Sequence, residues 1–167
     1  MQPNINAAPQ GPEKLSPEIQ ADTDMFVING MDIIYDEKAI KSILNRIGTG
    51  KDPIQTIAEV FVSIIFKITK SAKAAKKEMS NSVVLSASNY LLGELFQALE
   101  AAGMAPLNEE QAVGVWQIAI SLYIDKAIKS GDMTQQELMA FGEQIKQTEE
   151  GKKILAAEQN PEAACRE

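Results

Sequence analysis

Histidine is missing altogether from the 167-residue chain. That removes the one side chain that titrates near neutrality unaided, and with it the commonest general base and metal ligand. Cysteine occurs once, as Cys165. No disulfide can close within the chain, and a thiol in a polar tail lacks the walled pocket a reactive thiolate needs. Aromatic residues make up only 5%, which argues against a β-sandwich, whose strands lean on Tyr, Phe, Thr and Val. No uncharged apolar run reaches the roughly 18 residues of a membrane-spanning helix. The polar residues 1–10 contain no apolar signal segment. These gaps predict a protein made and kept in a cytoplasm, at least initially, with no enzyme chemistry, cofactor or metal site.

Possible chemical motifs fail on spacing. Gly48-Thr49-Gly50-Lys51 is too short between its glycines for a phosphate loop, and Asp52 follows the lysine where Ser or Thr is required. Glu109/Glu110 complement the start of a helix, and Glu149/Glu150 sit on a solvated late face. Asp132 has no calcium-ligand spacing around it.

What the chain does have is aliphatic side chains in abundance, with 45% hydrophobic residues overall. A core is therefore affordable within one domain. The charge is unevenly spread. Residues 1–37 carry seven acids against Lys14, a net of −6; residues 38–78 carry nine bases against three acids, a net of +6. Residues 79–167 carry thirteen acids against six bases, a net of −7. Overall acidity disfavours nucleic acid as a partner. The basic middle between acidic ends suits contact between subunits, and neutralisation within one chain explains it equally well.

Residues 1–23 hold Pro3, Pro9, Pro12 and Pro17 and few large apolar groups, which predicts an extended or disordered arm. In residues 24–35, Asn29-Gly30 lies between two apolar runs, the strongest short signal for a β-hairpin. Phe26, Ile28, Met31, Ile33 and Tyr35 would then share one face. Residues 36–158 read as a helical domain of about five helices, and 159–167 as a disordered tail. The predicted class is thus mainly α: a five-helix bundle with a short N-terminal hairpin and an arm.

The helices have punctuation. The first starts at Asp36 and carries Ile40, Ile43, Leu44 and Ile47. The second, over 53–79, is opened by Asp52 and Pro53, with Gln55 placed to close a capping box. Its apolar stripe of Ile54, Ile57, Phe61, Ile64, Ile65, Ile68 and Ala72 is widened by Val60, Val62 and Phe66 to an arc of roughly 200° or more. Its later half turns basic with Lys67, Lys70, Lys73, Lys76 and Lys77. Helices over 82–102 and 108–130 end at Gly103 and Gly131, and Thr134-x-x-Glu137 opens a fifth.

Three stretches together carry a resemblance: the leader MQPNINAAPQGP, the apolar-then-basic IAEVFVSIIFKITKSAKAAKK, and the acidic helical GDMTQQELMAFGEQIKQTEEG. In this profile the chain resembles the small helical internal or ejection-type structural proteins of tailed bacteriophage virions. The resemblance implies a subunit of rings or stacks in the capsid or at the head–tail channel. Its partners would be copies of itself, other structural proteins and, later, a host envelope. The chain is shorter than that pattern and has no full spanning helix, which speaks against unaided envelope penetration. The residues expected to make contact are Phe26, Ile28, Ile33, Val62, Phe66, Lys67, Lys70 and Lys77. The rival readings are a cytoplasmic adaptor or regulator binding one helical partner, a membrane-active helical protein, and a DNA-binding protein.

Overall fold

A computed structural model describes residues 16–50, 52–148 and 151–153, and among these every regular element is helical. The helices are α1 (Pro17–Ile34), α2 (Glu37–Thr49), α3 (Pro53–Ala74), α4 (Asn81–Ala101), α5 (Glu109–Ser130) and α6 (Gln135–Gln147). Residues 151–153 are helical again. The mainly helical class and the five helices expected beyond residue 36 are present. Residues 1–15 of the expected arm and the tail 159–167 lie outside the described residues.

The hairpin expected over residues 24–35 is not formed. That stretch is the second half of α1, which begins earlier than expected, inside the supposed arm. Ser16 accepts a hydrogen bond from the Ile19 N–H, and Pro17 takes the first helical position, where its missing donor costs nothing. Read at 3.6 residues per turn, Thr23, Phe26, Gly30 and Ile34 fall in one stripe, and all four are buried. A two-stranded hairpin has little to bury against, whereas this stripe packs lengthwise on the bundle. Gly30 is not in the left-handed region that a hairpin turn requires. It serves instead as a notch: a Cβ there would run into both δ-methyls of the fully buried Leu91 on α4.

The helix starts are secured locally. Asp36, Asp52, Ser80, Asn108 and Thr134 each accept a backbone N–H in the first turn. Asn108–Gln111 and Thr134–Glu137 close full capping boxes. Gln55 does not do so for α3; its side chain donates to Glu59 instead. Gly131 ends α5 in the left-handed conformation. α3 stops at Ala74, short of the expected residue 79, because Lys76 turns left-handed and Lys77 N–H bonds back to the Ala72 carbonyl.

Contacts fix the helix directions. Gly114 packs on Ile54, the Phe66 and Tyr123 rings lie 5.2 Å apart, and Lys73 pairs with Asp132 at 2.5 Å. α3 and α5 are therefore parallel. Lys77 pairs with Asp22 at 2.7 Å, and Arg46 with Glu59 at 3.5 Å. Both α1 and α2 thus run against α3, joined through Tyr35 and Asp36. α4 lies between, its Leu91 on α1 and its Asn89 accepting a 2.6 Å hydrogen bond from the Trp116 indole of α5. α3 is covered on three sides, and nine of its residues are buried, Val62 among them. The wide apolar arc is thereby absorbed, each buried aliphatic contributing about 1.5–3 kcal/mol as an upper estimate.

The perturbed carboxylates and tyrosine titrate toward the extremes of pH. Hydrogen bonds from Lys73 and then Ser130 hold the Asp132 carboxyl below its ordinary value, and the Thr134 backbone does the same for Glu137. A depressed carboxylate adds stability above its unfolded pKa and loses it as pH falls through the folded one. Burial first, and the Asp132 charge second, raise the Tyr123 hydroxyl. A raised tyrosine adds stability below its unfolded pKa and loses it as pH rises through the folded one. With no histidine in between, the melting temperature is expected to be flat from about pH 6 to 9 and to fall below about 4 and above about 10. Scanning calorimetry across that range checks this; a step near pH 6.5 would contradict it.

Candidate interaction surface

A furrow runs along α3 beside α1 and α2. Its first part, about 370 Å³, lies between Met25, Asp32 and Ile33 of α1 and Lys67, Ile68 and Ala72 of α3. Its second part, about 240 Å³, continues between α2 and the middle of α3. Ile33 and Lys67 border both parts, so the furrow follows about 25 Å of the α3 axis. Ile68, Ala72, Ile64 and Ile43 form an apolar floor.

Beside the furrow, the outward face of α1 sets apolar side chains between its acids. Met25, Ile28 and Tyr35 are 42%, 61% and 50% exposed. The Tyr35 hydroxyl donates to Glu94 at 2.7 Å, and Tyr90, also exposed, shares that carboxylate. Hydrogen bonding to Glu94 raises both tyrosines above their ordinary pKa.

The two walls carry opposite charge. α1 holds Glu18, Asp22, Asp24 and Asp32 with no lysine or arginine, whereas α3 and its exit bring Lys67 and Lys77 to the furrow, Lys70 and Lys73 lying on the Asp132 side. Part of this is neutralised internally, through Lys77–Asp22 and Lys73–Asp132. Asp32 and Lys67 border the same stretch of furrow, yet neither has an ion pair or side-chain hydrogen bond among the described residues.

The eight residues expected to make contacts therefore separate. Phe26 (0% exposed) and Val62 (2%) are core residues of this chain, and the contact surface is drawn without them. Phe66 is half-buried, tilted against Tyr123 and overlain by the Lys126 ammonium at 5.5 Å. Ile33, Lys67 and Lys77 line the furrow, and Ile28 stands exposed next to it. Lys70 lies on the other side of α3, on a polar hollow of about 230 Å³ shared with Asp132 and Glu137. Met25, Asp32 and Tyr35 join the surface without having been singled out for it. The start signal Ser16-Pro17-Glu18, followed at helical spacing, would have placed all three on one outward strip.

No family model, curated protein or solved structure matches this chain. The surface is therefore interpreted from its own chemistry. Among the described residues no cluster of Cys, Asp and Glu is placed to hold a metal ion, and no helix is long and apolar enough to cross a membrane.

Proposed function

We propose that this chain is a non-enzymatic building block of a larger protein assembly, acting by packing against copies of itself and other structural proteins. The observation that carries the reading is the surplus of apolar side chain on α1. Phe26 and Ile34 fill the core from one face, while Met25, Ile28 and Tyr35 still point outward on the other beside an apolar furrow. Exposed apolar residues grouped and rimmed by charge suit a protein contact better than a catalytic cleft. The profile shared with internal or ejection-type phage proteins makes a bacteriophage virion the first assembly to examine, with synthesis in the host cytoplasm.

The length of the furrow also favours a second reading, a cytoplasmic adaptor that lays one partner helix into it. The two are separated by stoichiometry. As a building block the chain co-purifies with a particle in multiple copies, and Ile28→Lys abolishes incorporation while leaving the melting temperature within a few degrees, as surface changes do. A 1:1 complex with one helical protein, and no particle, supports the adaptor. Unimpaired incorporation of Ile28→Lys would remove α1 from the contact.

A further inference from the structure

We propose that the furrow receives α1 of a second copy of this chain, so that Asp32 of each copy faces Lys67 of the other. This rests on the building-block reading and specifies one contact within it.

Charge complementarity selects the occupant. The α3 wall of the furrow offers Lys67 without an ion pair, and the occupant that satisfies it is an acidic helical strip with apolar side chains between its acids. α1 presents such a strip on its free face: Asp24, Met25, Ile28 and Asp32. Two α1 helices lying directly on one another would repel, which directs each α1 onto the lysine-bearing α3 of the other copy.

The helix directions then supply the register. Within one chain α1 and α3 are antiparallel, and Asp32 lies level with Lys67 along the furrow. A two-fold axis parallel to the helices preserves height, so it sets each Asp32 level with the partner copy's Lys67. The same rotation sets Met25 and Ile28 level with Ala75 and Ser71 of the other copy, small exposed residues over which another helix can come close. One patch contacts its own image, the self-complementary arrangement a closed pair requires. α1 is 18 residues long, about 27 Å, which limits the buried area to the lower end of specific interfaces. The pair should accordingly form at tens to hundreds of micromolar and weaken as salt shortens the screening length.

Charge exchange tests this on the full chain by sedimentation velocity at low salt. Wild type is expected to form a two-chain species. Asp32→Lys and Lys67→Asp, both at exposed positions, are each expected to weaken it at least about tenfold by setting like charges opposite one another. An equimolar mixture of the two variants should associate again, and so should the double variant D32K/K67D. Circular dichroism should show all of them folded as wild type. Association of the single variants at wild-type strength, or failure of the mixture to recover, overturns the inference and leaves the building block using another surface. A wild type that stays monomeric but co-purifies with a particle overturns the second-copy occupant alone. Absence of both association and co-purification overturns the building-block reading as well.

Discussion

Phe26→Ala is expected to destabilise the protein by about 3–5 kcal/mol, the usual cost of emptying a buried aromatic site, whereas Ile28→Ala should stay within about 0.5 kcal/mol. The two residues are separated by one position and would lie on the same face of a strand. On α1 they lie on opposite sides, Phe26 sealed against the bundle and Ile28 in solvent. Urea unfolding provides the measurement. The single tryptophan, Trp116, is buried and hydrogen-bonded to Asn89, so its emission reports loss of the core. Similar costs for the two substitutions would contradict the helix. If Ile28 also proves essential for incorporation into a particle, one helix serves stability with one face and assembly with the other.

The same pair of residues explains where sequence patterning succeeds and where it fails. α2 through α6 are legible because their signals are local and agree with one another. Asp52-Pro53, Asn108 and Thr134-x-x-Glu137 each start a helix by bonding their own first turn, and Gly131 stops one through its own backbone. α1 carries two conflicting local signals. Asn29-Gly30 favours a turn, while Ser16-Pro17-Glu18 starts a helix that must run through that turn. The conflict is resolved by Leu91, some sixty positions away, which fills the space a side chain at residue 30 would occupy. No local pattern contains that information. The arc on α3 is a similar case. Val62 and Phe66 are apolar whether covered by a second subunit or by α5, and only the parallel docking of α3 on α5 shows that this chain covers Val62 itself. Lys67 was recognisable as a surface candidate from its charge, whereas Ile33 is singled out only by a hairpin register that the helix does not have. Asp32 was not recognisable, since its significance lies in facing a lysine across a furrow.

Two glycines in helix interiors are expected to respond to alanine with opposite signs. Gly93 on α4 has open space where a Cβ would go, so Gly93→Ala should gain about 0.5–1 kcal/mol by restricting the unfolded chain and favouring the helix. Gly30→Ala receives the same helical benefit but must push the side chain of Leu91, which is fully buried. Overpacking of that kind costs about 1–3 kcal/mol, and a bulkier Gly30→Val adds a branched side chain to the same collision, so it should exceed the alanine cost clearly. The cause can be isolated with a double-mutant cycle. Leu91→Ala alone should lose about 2–5 kcal/mol through the cavity it leaves. In the double variant the new methyl at residue 30 occupies part of the vacated space, and the combined loss should fall short of the sum by about 1 kcal/mol or more. Additive losses would mean that α1 and α4 can part at this point at no expense, and that Gly30 is not the notch on which their close approach depends. A Gly30→Ala variant as stabilised as Gly93→Ala would lead to the same conclusion by a shorter route.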